Sequence, residues 1–176
     1  MLKMNKMNKK AQFTTFIMVV VFIFIVGILL FFLNHFNKTF YDKFDEYFEG
    51  SEEYNNTEAH NATGKLQAIE DSNIWDYAFL AIFFGFVLQI ILLSFASKIN
   101  AAFFWILVIV DIPILIIGTI VSNVWQGIVT NPEFATTITR FPITNAILGT
   151  YYPMVVTIIL FLAMIILFGK PSRGEE

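Results

Sequence analysis

The chain has 176 residues, of which 57% are hydrophobic and 17% aromatic, while only 14% are charged. Soluble domains are about 45–50% apolar, so this excess points to lipid as the surrounding solvent. The net charge of −3, with few basic residues, argues against a nucleic-acid-binding surface, and the absence of cysteine excludes disulfides and thiolate metal sites. His35 and His60, the two histidines, are too few for a histidine metal site or a catalytic triad. We therefore expect no enzyme active site, cofactor or metal.

The N-terminal region predicts a retained membrane anchor. Residues 1–12 carry lysines and no acid, and residues 13–33 form an apolar run long enough to span a hydrocarbon core about 30 Å thick. A cleavable signal has a shorter apolar region and ends in a small-residue cleavage site, which this stretch lacks. We therefore predict a first transmembrane helix over 13–33 after a basic, cytoplasmic N-terminus at 1–12.

The stretch Lys9-Lys10-Ala11-Gln12, followed directly by this apolar run, resembles the class III signal peptides of archaeal pilin-like membrane proteins. In that family a basic pair, a small residue and a glutamine precede the hydrophobic helix. The chain departs from the pattern because no acid follows early in the helix, and because pilins have one span whereas three more apolar runs follow here. The resemblance implies an archaeal origin, which includes archaeal viruses, and it does not extend to the rest of the chain.

Residues 34–76 are predicted to form an acidic external loop with helical extensions. An aromatic residue recurs every four positions, at Phe36, Phe40, Phe44 and Phe48. This spacing predicts that the first helix continues beyond the membrane with one aromatic stripe. Residues 63–74 can return antiparallel to it after a polar tip at 50–62. We expect the stripe to pack against this return, and the alternative is that it binds a partner.

The remaining transmembrane helices are predicted at 77–96, 101–121 and 151–168, with a cytoplasmic turn at 97–100 and a cytoplasmic tail at 169–176. Of the 11 lysines and arginines, seven then lie inside and four outside, so the positive-inside rule places both termini in the cytoplasm. Three Asn-X-Thr sequons fall in the external loop and agree with this orientation; they are candidate glycosylation sites at Asn37, Asn55 and Asn61. The predicted fold class is an all-α integral membrane protein with four transmembrane helices and an extracytoplasmic helical hairpin extension.

The second external segment, 122–150, is predicted to contain an interfacial helix. Asn131, Pro132 and Glu133 form a typical helix start, and Phe134 and the apolar residues that follow share one face until Pro142 stops the helix. We expect this helix to lie on the outer membrane surface, with Phe134, Ile138 and Phe141 towards the lipid. The alternative is a re-entrant segment that other helices bury.

One acid, Asp111, lies ten residues from either end of the apolar run 101–121. At a rise of about 1.5 Å per residue, it would sit near the bilayer midplane, where an acid costs roughly 2.5–3.5 kcal/mol. No lysine, arginine or histidine lies in a predicted span, so we expect a protonated and hydrogen-bonded Asp111. Pro113 has no backbone N–H to donate to the carbonyl of Ile109. That carbonyl is therefore left as a free acceptor one helical turn from Pro113, close to Asp111.

Gln89 is the expected hydrogen-bond partner of Asp111. It lies near the middle of the 77–96 span, on a stripe with Ala81, Gly85 and Ala96, small residues that allow close helix approach. The short turn at 97–100 would make the two helices antiparallel neighbours. Thr157, at middle depth in the last span, is a second candidate partner.

Two functions follow from this predicted intramembrane polar site. As a structural hydrogen bond, the site would fix helix register in a non-enzymatic structural or assembly component, in an archaeal cell envelope or a virion membrane. Such a component would form homo- or hetero-oligomers through its transmembrane helices or its acidic, aromatic-rich external loop. As a protonatable relay or cation site, Asp111 would serve a small proton- or cation-coupled channel or transporter subunit. The first function is our leading hypothesis.

Overall fold

The computed structural model describes residues 9–48, 58–70, 72–96 and 103–168. Within these ranges the chain is helical, with α1 at Lys9–Phe48, α2 at Glu58–Glu70, α3 at Ile74–Ala96, α4 at Phe103–Val129, a 3-10 turn at Pro132–Phe134, α5 at Ala135–Ile138, α6 at Pro142–Leu148 and α7 at Tyr152–Phe168. Several predicted features lie outside the described residues, namely most of the N-terminal segment 1–12, most of the loop tip at 50–62, the turn at 97–100 and the tail at 169–176.

Three of the helices are long and apolar enough to cross a membrane, over Met18–Phe48 in α1, Ile74–Leu92 in α3 and Asp111–Val129 in α4. A fourth candidate consists of α6 and α7 together, which are bent by 73° at the break between them. A segment in lipid must satisfy its backbone hydrogen bonds internally, and a helix does so without a partner strand. The all-α prediction is confirmed for the described residues, with three to four candidate spans.

The aromatic stripe lies on the same unbroken helix as the first apolar run. α1 has 40 residues, which corresponds to a length of about 60 Å. α2 packs beside its C-terminal part, where the side-chain amide of Gln67 donates to Asp42 over 3.2 Å. Phe44 is half-buried, but Phe36 and Phe40 are 68% and 54% exposed. The expectation that the whole stripe packs against the returning helix is therefore wrong for these two residues.

α3 and α4 are not packed side by side in the described part of the chain, because α7 packs extensively against both. α3 packs against α1 and α7 through the side that carries Phe79, Phe83 and Ile90, which are buried. α4 approaches α7 closely at Gly118, where an added Cβ would lie 3.4 Å from the Cα of Pro153. The prediction that the second and third apolar helices are antiparallel neighbours is therefore wrong.

The segment after α4 packs against the helices and does not turn its apolar side outward. α4 runs to Val129, beyond the predicted end of its span at residue 121. Phe141 is fully buried, and Phe134 and Ile138 pack against the core. A single amphipathic helix does not form, because Phe141 precedes a proline and has φ −118° and ψ 47°, outside the helical region. The prediction of a lipid-facing surface helix is wrong, and the alternative of a segment buried by other helices describes it better.

Phe31 of α1 is the centre of an aromatic cluster that joins four parts of the chain. Its ring is fully buried and lies 5.4 Å from that of Trp125, 5.5 Å from that of Phe134 and 5.4 Å from that of Phe141, all edge to face. Aromatic pairs in this geometry contribute about 0.5–1.5 kcal/mol each beyond the area that they bury. The cluster thus holds the segment 132–141 against α1 and α4.

Replacing Phe31 with alanine is expected to lower the free energy of unfolding by about 3–5 kcal/mol, because it opens a cavity among three other rings. The measurement is reversible unfolding of the detergent-solubilised chain by SDS. The control is Phe36→Ala, in the same helix but exposed, for which we expect a change within about 0.5 kcal/mol. Equal losses in the two variants would contradict the role given to the cluster.

Candidate functional site

Asp111 lies nearer the start of its helix than the sequence suggested. It is the ninth residue of α4 counted from Phe103, and the helix has 27 residues. The carboxyl group is thus about 12 Å along the axis from Phe103 and about 27 Å from Val129. The predicted bounds 101–121 would place Asp111 at the middle of its helix, and it is not there because α4 continues past residue 121. Its depth in a membrane stays a prediction.

The side chain of Asp111 is half-buried, and its Oδ1 is buried without a hydrogen-bond partner among the described residues. Asp111 precedes Ile114, Gly118 and Ser122 at helical spacing, and these three are buried on the side of α4 that packs against α7. The acid therefore lies on the α7 side of its helix. Pro113, within α4, is exposed.

The structure does not bring the predicted partners of Asp111 to it. Gln89 is exposed on α3, a helix that is not packed against α4. The hydroxyl of Thr157 donates within its own helix to the carbonyl of Pro153, over 2.8 Å. The predicted hydrogen bond between Asp111 and Gln89 is therefore not formed.

Another acid, Asp76, has both of its carboxylate oxygens hydrogen-bonded. It lies in the first turn of α3 and is fully buried. Its Oδ2 accepts from the backbone N–H of Ile143 at 2.9 Å, and its Oδ1 accepts from the N–H and the hydroxyl of Thr144 at 2.7 and 2.6 Å. These two N–H groups belong to the first turn of α6, where no helical carbonyl can accept from them.

Asp76 thus caps a helix that lies 67 residues away along the chain. The residue at the N-cap position of α6, Phe141, makes no capping bond with its own side chain. A carboxylate there also interacts favourably with the positive end of the helix dipole. The sequence did not predict this role. An acid in the first turn of an apolar helix predicts stabilisation of that same helix, and no local pattern indicates that the acid caps a helix far away along the chain.

Hydrogen bonds from α4 hold the bend between α6 and α7. The indole N–H of Trp125 donates to the side-chain oxygen of Asn145 over 3.0 Å, and the hydroxyl of Ser122 donates to the carbonyl of Gly149 over 2.7 Å. Gly149 closes α6 by donating its N–H to the carbonyl of Asn145, at 2.9 Å. A Cβ at Gly149 would overlap that carbonyl oxygen, so the bend requires glycine. The polar groups at this break are therefore engaged within the fold.

Two further side-chain bonds connect α1 to the last part of the chain. The hydroxyl of Tyr152, fully buried at the start of α7, donates to the carbonyl of Val20 over 2.6 Å. The Nδ1 of His35 lies 2.9 Å from the hydroxyl of Thr137. Together they attach α1 to α5 and α7 at separate levels.

The predicted modification sites differ in their surroundings. Asn61 is exposed on α2, whereas Asn37 is half-buried within α1, and Asn55 lies outside the described residues. In the ranges that the structure describes, no group of three or more His, Asp or Glu side chains could hold a metal ion.

Among the described residues of the apolar helices, Asp111 is the acid that has a buried oxygen without a hydrogen-bond partner.

Asp76→Ala is expected to lower the free energy of unfolding by about 2–3 kcal/mol, since it leaves donors at the start of α6 unpaired. Asp76→Asn, which retains one acceptor oxygen, should lose less. SDS unfolding provides the measurement, and hydrogen exchange should show the faster opening at the amides of Ile143 and Thr144. The control is Asp42→Ala, an exposed acid with one hydrogen bond of 3.2 Å, where the expected loss is below about 0.5 kcal/mol. Unaltered protection of the two amides in Asp76→Ala would refute the capping role.

Comparison of the chain with protein families, with curated proteins and with solved structures finds no match.

Proposed function

We propose that this chain is a non-enzymatic structural or assembly component of a membrane, in an archaeal cell envelope or in a virion. The observation that supports this function most is the continuity of α1. One helix of 40 residues belongs both to the apolar bundle and to the acidic hairpin that it forms with α2. A rigid connection of this kind suits a protein that holds an external surface at a fixed distance from the membrane.

The use of the buried polar groups also supports an architectural role. Asp76 caps α6, Ser122 and Trp125 hold the bend, and Tyr152 connects α7 to α1. These side chains stabilise the arrangement of helices, and their hydrogen-bonding capacity is engaged inside the fold. They are consistent with a scaffold.

The orientation in this proposal has both termini in the cytoplasm and the hairpin outside. The basic N-terminal flank supports it through the positive-inside rule. The resemblance of Lys9-Lys10-Ala11-Gln12 to archaeal class III signal peptides supports the proposed source. Partners would be further copies of the chain or other membrane proteins, bound through the apolar helices or through the acidic, aromatic-rich hairpin.

Cross-linking in the native membrane, before extraction into mild detergent, should trap the chain in a complex of defined size larger than the 20.2 kDa protomer. The expected result follows because an assembly component functions only in contact with its neighbours. Cross-linking after denaturation in SDS is the control and should give the monomer. Recovery of the monomer alone from the native membrane would count against the proposed function.

The second candidate function is a small proton- or cation-coupled channel or transporter subunit. The observation that favours it is the buried, unpartnered Oδ1 of Asp111. Unpaired acids in apolar helices commonly mark ion pathways.

Under this second function, vesicles that contain the purified chain should show a proton or cation flux that Asp111→Asn abolishes, since the neutral amide cannot exchange a proton. Thr119→Val, on the same helix and exposed, is the matched control and should leave the flux unchanged. A flux that is absent, or that is equal in Asp111→Asn and in the unaltered chain, would eliminate the channel hypothesis.

A further inference from the structure

On the outward face of α3, small and polar residues follow one another in a line beside large exposed side chains such as Phe84 and Leu88. Ala81, Gly85 and Gln89 follow one another at a spacing of four, and all three are exposed. They belong to the stripe that the sequence assigned to a contact with α4. Since α3 buries Phe79 and Phe83 on its other side, that stripe is left without a partner in the protomer.

The stripe forms a shallow groove on the surface of α3. A Cβ added at Gly85 would meet no atom within 4 Å, so the backbone is open to an approaching helix. Small residues at this spacing allow two helices in a membrane to pack closely. Small residues alone do not specify what fills the groove, because lipid chains can fill it as well.

Gln89 specifies the chemistry of the occupant. Its amide is exposed within the apolar window Ile74–Leu92 and makes no hydrogen bond with another described residue. Hydroxyls on the other apolar helices behave differently, since Thr119 of α4 and Thr157 of α7 donate to carbonyls of their own helices, over 2.9 and 2.8 Å. Hydrocarbon offers neither a donor nor an acceptor, so an amide that faces lipid has no hydrogen-bond partner. A second helix packed on this face can supply one.

We propose that a second copy of this chain covers the α3 face, with the Gln89 amides of the two copies paired across a two-fold axis. The side chain of glutamine is both donor and acceptor, so it is complementary to itself in an isologous contact. The open groove at Gly85 lies one helical turn away and permits the close approach that such a pair requires. This inference rests on the proposed function, and it specifies the neighbour and the surface of that assembly.

Disulfide trapping in reconstituted vesicles tests the surface directly, because the chain has no cysteine of its own. A single thiol is introduced at Ala81 or at Leu88, both exposed on α3. The matched controls are Ile116→Cys on α4 and Ile158→Cys on α7, which are exposed on other helices. We expect covalent dimers from Ala81→Cys and Leu88→Cys and not from the controls. Equal trapping at Ile116 or Ile158 would overturn the assignment.

The role of the amide is tested by energy transfer between labelled copies as the protein is diluted with lipid. Gln89→Leu is expected to weaken self-association by about threefold, and by at most about thirtyfold. Gly85→Ile should weaken it too by filling the groove, whereas Thr119→Val should not. SDS unfolding of each variant shows whether the protomer is intact. Self-association that Gln89→Leu and Gly85→Ile leave unchanged would overturn the proposal.

The outcomes separate this inference from the proposed function. If the native membrane yields a defined complex but the α3 cysteines do not trap a dimer, the α3 interface is refuted and the assembly role stands. If native cross-linking yields the monomer alone and dilution shows no self-association, both are refuted.

Discussion

The arrangement of helices depends on the carboxylate of Asp76 at the N-terminus of α6. A helix of seven residues is too short to be stable alone, and the residue at its N-cap position makes no side-chain capping bond. Asp76 satisfies the first N–H groups of α6 from α3, while Trp125 and Ser122 satisfy groups near its other end from α4. Through these bonds α6, although short, connects α3 to α4.

The position of α6 determines where α7 runs. α7 starts after a bend of 73° and packs against both α3 and α4, which keeps those two helices apart. This separation accounts for the outcome at the predicted polar pair. Gln89 is left on the surface of α3, and Asp111 lies on the side of α4 that packs against α7. Two polar residues on consecutive apolar helices therefore have separate surroundings and, in our proposals, separate roles.

The polar side chains fall into two groups with different consequences for function. Those with partners, such as Asp76, Ser122 and Tyr152, join helices within one chain. Those without described partners, Gln89 and the Oδ1 of Asp111, lie on apolar helices whose proposed surroundings are lipid. The first group fixes the protomer. In the second group, Gln89 offers the proposed contact between protomers, and Asp111 is the residue on which the alternative ion site depends.

The sequence by itself determined the existence of the long apolar helices, because local physics decides them. Long apolar runs predict helices in lipid, the four-residue spacing of phenylalanines predicted that α1 continues, and Pro142 marks the break before α6. Which faces meet was decided only by the tertiary structure. α3 and α4 are apolar on nearly every side, so periodicity does not separate a face that contacts lipid from one that contacts protein. The hydrogen bond that Thr144 donates to Asp76 joins residues 68 positions apart, and no local pattern encodes a contact of that length.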